Sequence, residues 1–266
     1  VKLLNGQELA DFIKERQATQ VRSLIQSKKI NPKLAVVVCN QNPAINKYVS
    51  LKKHYGADIS VGVDIHKIDQ HQVIILIKKL NKDNKTHGII VQLPLADPSQ
   101  TDEIVNSIVP DKDVDGLGKN SELESAAPLA ITWLLAGNNI DLKNKQVTIV
   151  GQGRLVGTPL KKLLENSGIK PKIIIETTKN REKLLQDSQI IITAVGHPGI
   201  LSARDIPQNC AVIDAGTASE GNQIKGDLAD NVYERDDLTI TPKIGGVGPL
   251  TVCALFENVI RAAGRI

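Results

Sequence analysis

The residues best suited to chemistry fall into three groups. Tyr48 and Lys52 stand four positions apart in a stretch of helical periodicity, so a phenol and an amine share one helix face. On its own such a pair reads more often as a surface Tyr and Lys; where it is catalytic it passes a proton to or from a bound substrate. Gln92 ends the apolar run Gly88-Ile89-Ile90-Val91 and is followed by Leu93-Pro94. In open parallel sheets, ligands bind at the carboxyl ends of buried strands such as this one. The third group is Val147-Thr148-Ile149-Val150-Gly151-Gln152-Gly153-Arg154-Leu155-Val156-Gly157, which reads as a strand, a glycine turn and a helix start. Glycines there let the backbone approach a pyrophosphate seated on the helix N-terminus. The spacing is G-x-G-x-x-x-G, and a tight strand-to-helix turn without a ligand gives the same pattern. Glu176 ends the next strand, where a carboxylate accepts hydrogen bonds from ribose hydroxyls and repels a 2′-phosphate. The plain alternative is a solvated glutamate. Asp113 and Asp115 are two carboxylates without further ligands, too few for a metal site, and the five histidines form no ligand or triad pattern. No metal is expected.

These groups need elements to hold them. Apolar spacing predicts helices over 7–27, 44–57, 70–82 and 100–108, with strands at 34–39, 61–65 and 88–91. An irregular charged stretch, 110–116, follows. A second series has a helix at 128–137, strands at 146–150, 172–175, 189–194 and 211–214, and helices near 157–167 and 180–186. A short strand at 238–240 leads through a glycine-rich turn to a closing helix, 249–263. Alternating strand and helix means parallel sheets joined by crossovers, so the fold class is α/β with two domains and a cleft between them. In short-chain dehydrogenases a Tyr-x-x-x-Lys pair follows the nucleotide turn. Here it precedes Gly151, which disfavours that family.

The composition agrees. In 266 residues, 41% are hydrophobic and the formal net charge is +4, which excludes disorder and allows a sizeable core. Aromatics are 2% and scattered, so base stacking on nucleic acid is poorly supported, and the charge surplus reads as a solvated surface with room for an anionic small substrate. Three distant cysteines form neither a metal spacing nor a disulfide framework, which fits a reducing compartment. There is no 18-residue apolar run and no signal pattern, so a soluble, cytoplasmic protein without a membrane partner is expected.

Together the segments 48–52, 88–95 (GIIVQLPL), 111–117 (DKDVDGL), 151–159, 194–198 (AVGHP), 212–216 (VIDAG), 226–227 and 245–251 (GGVGPLT) resemble the methylenetetrahydrofolate dehydrogenase/cyclohydrolase family over essentially the whole chain. The resemblance implies a folate-binding catalytic domain of residues 1–122 and 247–266, with the last helix returning to it. It also implies a Rossmann-type NAD(P)-binding domain of residues 123–246, and a homodimer. It implies two reactions: oxidation of 5,10-methylenetetrahydrofolate to the methenyl cation, and hydrolysis of that cation to 10-formyltetrahydrofolate. By this likeness Lys52 is the catalytic lysine, and a substrate cation beside it would lower its pKa and suit it to proton transfer. Gln92 would hold Lys52, and Asp115 would bind the pterin amino and ring nitrogens. Tyr48 would stack on the folate ring system, with Leu93, Pro94, Gly246 and Pro249 shaping the substrate wall. The dinucleotide would lie on Gly151, Gln152, Gly153, Arg154, Val156 and Gly157. Glu176, Gly196, Asp214 and Gly216 would complete that site.

Several positions depart from the family. Gly151-Gln152-Gly153 replaces G-R-S, losing a charge and a hydroxyl that can hold a 2′-phosphate, and Ile175-Glu176 replaces His-Ser. Both changes point to NAD over NADP, with Arg154 still able to reach a 2′-phosphate. Ser125-Ala126-Ala127-Pro128 replaces P-x-T-P, and Ile45 replaces a serine. Thr241-Pro242-Lys243-Ile244 replaces T-P-V-P, and Leu250 stands for a methionine of similar volume. A dehydrogenase without cyclohydrolase activity therefore stays open. So do a non-catalytic folate- or nucleotide-binding descendant, a shikimate-type dehydrogenase and a nucleic-acid binder.

Overall fold

A computed structural model describes residues 1–40, 43–220 and 223–265. Gln41, Asn42, Gly221, Asn222 and Ile266 lie outside the described residues. The strands are β1 (Lys2–Leu3), β2 (Lys33–Val38), β3 (Gly62–Lys67), β4 (Gly88–Val91), β5 (Val147–Val150), β6 (Lys172–Ile174), β7 (Ile190–Thr193), β8 (Ala211–Asp214), β9 (Ala218–Glu220), β10 (Gln223–Lys225) and β11 (Thr239–Ile240). The helices are α1 (Gly6–Ser23), α2 (Pro43–Asp58), α3 (Val73–Lys82), α4 (Thr101–Val105), α5 (Ala126–Gly137), α6 (Gly157–Asn166), α7 (Arg181–Gln186) and α8 (Val247–Gly264). The chain forms two compact units. One comprises Val1–Ala10 and Ala127–Thr251, and the other Asp11–Ala126 with the chain from Val252 onward.

The unit beginning at Asp11 is built on a parallel sheet of order β3-β2-β4. Leu34, Ala35, Val36, Val37 and Val38 of the central strand are all buried, as expected for a strand covered on both faces. From β2 the chain crosses through α2 to β3, then returns through α3 to β4 on the other side of β2. That reversal leaves a switch point at the carboxyl ends of β2 and β4, beside Gln92. Helix α3 packs Val73, Ile77 and Leu80 inward on one face. The Lys112 ammonium closes its end, donating to the carbonyls of Leu80 (3.1 Å), Asn81 (3.0 Å) and Asp83 (2.8 Å). A cation there satisfies carbonyls that the helix cannot. Helix α4 is shorter than the expected 100–108. Asn106 Nδ2 donates to the Asp102 carbonyl and Ser107 Oγ to that of Ile104, side-chain bonds that compete with continuing the helix.

The other unit is built on a six-stranded, all-parallel sheet of order β1-β11-β8-β7-β5-β6. Here β5 is the first strand after α5. The chain moves to β6 on one side of it and then to β7 on the other, so the switch point lies between β5 and β7, where the glycine turn begins. Residues 1–10 belong to this unit, whereas the family likeness runs the folate-binding domain from residue 1. The cause is β1, which extends the sheet beyond β11: Lys2 N donates to Leu238 O at 3.0 Å and Leu4 N to Ile240 O at 2.8 Å. The antiparallel pair β9–β10 stands apart from the main sheet.

Candidate active site

In the unit beginning at Asp11, α2 carries Tyr48, half-buried, and Lys52 one turn later. Lys52 Nζ donates to Gln92 Oε1 at 2.8 Å. An ammonium has no acceptor, so it meets the oxygen of the amide, and Gln92 Nε2 is turned away to the Leu93 carbonyl at 3.1 Å. Gln92 is itself held by β2, its backbone N–H reaching Val37 O at 2.8 Å. Leu93 is half-buried and Pro94, joined to it by a cis peptide bond, is exposed. Burial lowers the Lys52 pKa, and the charge of Asp115 partly restores it. Burial pushes the Asp115 carboxyl up to about 6, an effect that Lys52 opposes and Asp113 reinforces. The site thus holds an amine whose charged form burial disfavours and a carboxylate reluctant to ionise, two groups whose environments draw their pKa values together.

The neighbouring aspartates do different work. Asp113 is buried and accepts from the backbone N–H groups of Gly116 (3.1 Å) and Gly118 (2.8 Å), which fold the loop around it. Among the described residues no hydrogen bond reaches the Asp115 carboxylate, which keeps its acceptors available. Gly116, directly after Asp115, has φ +68, a conformation that favours glycine. Ser125, in place of the family's P-x-T-P, closes the loop by donating to the Gly116 carbonyl at 2.7 Å. Among the described residues no cluster of three or more His, Cys, Asp or Glu side chains could hold a metal, and no helix is long and apolar enough to cross a membrane.

In the other unit, the expected dinucleotide turn leaves β5 at Gly151, whose φ is +100 and whose missing Cβ would lie 2.6 Å from Ala194 O, after β7. Gly157, at the start of α6, comes so close to the turn that a Cβ would lie 2.1 Å from Gly151 O. The two glycines therefore bring the helix start down onto the strand end. Among the described residues no side chain caps the N-terminus of α6. Gln152, Gly153 and Arg154 are exposed and Val156 is half-buried. A helix start brought down onto a strand end beside a switch point is the place where such sheets seat a pyrophosphate. Glu176 is exposed two residues beyond β6.

The loops after β7 and β8 are fixed by two interlocked aspartates. Asp214 accepts from the N–H groups of Gly216, Asp227 and Leu228 at 3.0–3.1 Å. Asp227 accepts from Val195, Gly196 and His197 N–H, each at 2.8 Å. Each carboxylate fills the space of an absent side chain: a Cβ on Gly226 would lie 2.1 Å from Asp214 Oδ2, and one on Gly216 2.1 Å from Asp227 Oδ1. So Asp214, expected among the dinucleotide residues, has its carboxylate engaged by backbone. Sequence reasoning did not put Asp227 in the site, though the mirrored Asp214-x-Gly216 and Gly226-Asp227 pairs were a readable sign of it. Gly246 is buried against Thr241, and Pro249 is half-buried in the first turn of α8.

A glycine turn at the switch point of one parallel sheet and a half-buried lysine–glutamine–carboxylate set at that of another define an α/β oxidoreductase that uses a nicotinamide dinucleotide. Residues 4–115 match the family model for the tetrahydrofolate dehydrogenase/cyclohydrolase catalytic domain, and residues 125–266 that for its NAD(P)-binding domain. The chain belongs to the tetrahydrofolate dehydrogenase/cyclohydrolase family. It is 33% identical to the bifunctional protein FolD of Staphylococcus saprophyticus, over 98% of this chain and 96% of that one. It also resembles the crystal structure of the bifunctional enzyme FolD from Campylobacter jejuni, with a TM-score of 0.91, 31% identity and 99% of each chain covered. A third relative is the Trypanosoma brucei enzyme, complexed with NADP and an inhibitor, with a TM-score of 0.91, 26% identity, and 100% and 97% of the two chains covered. Family membership sets aside the shikimate-type and nucleic-acid readings.

Proposed function

We propose that the protein oxidises 5,10-methylenetetrahydrofolate to 5,10-methenyltetrahydrofolate with a nicotinamide dinucleotide, preferring NAD, and hydrolyses the methenyl product to 10-formyltetrahydrofolate. The observation that carries this reading is the Lys52 amine, 2.8 Å from Gln92 Oε1 and within the field of Asp115. The bound dinucleotide supplies the hydride acceptor, and the turn 151–157 is the part of the chain that would hold its phosphates. Asp115, ionised above about pH 6, accepts hydrogen bonds from the pterin amino and ring nitrogens. Tyr48 covers a face of the folate ring system. Lys52 acts in the hydrolysis as a neutral amine. It takes a proton from water as the water oxygen bonds to the methenyl carbon, and returns it to the folate nitrogen as that carbon–nitrogen bond breaks. The remaining hydroxyl proton leaves to solvent as the formyl carbonyl forms. Burial favours the neutral amine and a cationic substrate favours it further.

NAD preference follows from Glu176, whose carboxylate suits ribose hydroxyls and repels a 2′-phosphate, and from Gln152-Gly153, which offer neither a cation nor a hydroxyl to that phosphate. The family likeness extends the reading to a homodimer. The three cysteines, none in a disulfide among the described residues, suit a reducing, cytoplasmic setting. The test is Lys52→Ala. Methenyltetrahydrofolate hydrolysis is lost while the protein stays folded, and retained hydrolysis would refute the role given to Lys52.

A further inference from the structure

Asn258 lies in α8, far along the chain from Asp115, and is completely buried. Its Nδ2 makes two hydrogen bonds, to the carbonyls of Val114 (2.9 Å) and Glu124 (2.8 Å). Val114 immediately precedes Asp115. Glu124 immediately precedes Ser125, whose hydroxyl holds the Gly116 carbonyl on the other side of Asp115 at 2.7 Å. One amide therefore pins both ends of the segment that carries the candidate pterin-binding carboxylate.

Three further observations make this a fixed post. Helix α8 is anchored by Gln17 Nε2 to the Cys253 carbonyl (2.9 Å) and by Phe256, fully buried with its ring 5.0 Å from that of Tyr55. On the other side the segment is laid against β4. Ile89 N donates to Lys112 O at 2.8 Å, and Val114 is packed so tightly on Gly88 that a Cβ there would come within 2.8 Å of both its methyl groups. Finally, Asn258 Oδ1 is buried with no hydrogen-bond partner among the described residues. An unpaired buried acceptor is costly, and an apolar side chain would avoid that cost, so the residue is explained by its two donors.

We propose that Asn258 is a positioning residue for folate recognition, holding the 114–125 segment so that the Asp115 carboxylate stays half-buried and within the field of Lys52. The inference rests on the functional reading above. The test compares full-length wild type with Asn258→Ala, measuring KM for 5,10-methylenetetrahydrofolate and for NAD across pH. The variant should raise the folate KM at least tenfold and leave the NAD KM within twofold. The acid limb of folate recognition, near pH 6 in wild type, should move toward the ordinary carboxylate range as water reaches Asp115. Asn258→Ser, whose hydroxyl keeps one donor, should fall between the two. A folded variant with unchanged folate KM and an unmoved limb overturns the proposal, as do equal losses for folate and NAD. Failure of both variants to fold assigns Asn258 to the fold alone and overturns it too. If wild type turns over no methylenetetrahydrofolate, the functional reading falls and takes this role with it. Unchanged folate kinetics in a folded variant of an active wild type defeats the positioning role alone.

Discussion

Gln92 offers Lys52 an amide oxygen at 2.8 Å, a partner that orients the amine without supplying a charge. A carboxylate in the same place would stabilise the ammonium and raise the lysine pKa, while the amide leaves burial to lower it. Gln92→Glu should therefore move the pH limb of methenyltetrahydrofolate hydrolysis upward by about 1–2 units and slow the reaction at pH 7. A pH–rate profile of the variant checks this, and an unshifted limb would mean that Lys52 is not the group being titrated.

Asp115, the proposed pterin-binding carboxylate, also bears on stability. Its carboxyl is raised to about 6 from an ordinary value of 3.8, so the folded protein binds that proton more tightly than the unfolded chain does. Ionisation therefore costs stability. The cost is absent below about pH 4, grows between pH 4 and 6, and is constant above. Asp115→Asn removes it. At pH 7.5 the variant should be more stable by about 3 kcal/mol, while folate affinity falls about 100-fold. Urea denaturation at pH 3.5 and pH 7.5 reads the prediction, with the difference between variant and wild type vanishing at the lower pH.

Dinucleotide choice is expected to turn on Glu176. Replacing it with serine removes the charge that faces a 2′-phosphate, so Glu176→Ser should raise kcat/KM for NADP relative to NAD by about tenfold, or ~1.4 kcal/mol. Wild type with comparable kcat/KM for both dinucleotides, or with an NADP advantage, would contradict the NAD preference itself.

Much of the fold could be read along the chain because its strands are buried on both faces. The runs at 34–38, 88–91, 147–150 and 190–193 are nearly continuous aliphatic stretches, and no surface position could carry them. What escaped depends on distant partners. Two residues at Lys2–Leu3 have no period to detect, and they become a strand only because Leu238 and Ile240 offer carbonyls across the sheet edge. The β9 and β10 strands, three residues each, are nearly as short.

The site divides in the same way. Spacing alone put Lys52 on the face of Tyr48 and Gln92 at a strand end. It could not tell Asp113 from Asp115, since the difference lies in which carboxylate the loop's own N–H groups consume. Nor does a lone asparagine in an amphipathic helix announce that it is buried. Asn258 becomes visible only when the Val114 and Glu124 carbonyls are found opposite it.

The central claim is that one chain performs both the oxidation and the hydrolysis. Its most direct test is the absorbance of methenyltetrahydrofolate in a reaction started from methylenetetrahydrofolate, run in parallel with NAD and with NADP. The account predicts a signal that builds up faster with NAD and then decays as the cation is hydrolysed. Absence of any signal with both dinucleotides would contradict the account, and a signal that builds without enzyme-dependent decay would contradict its hydrolytic half.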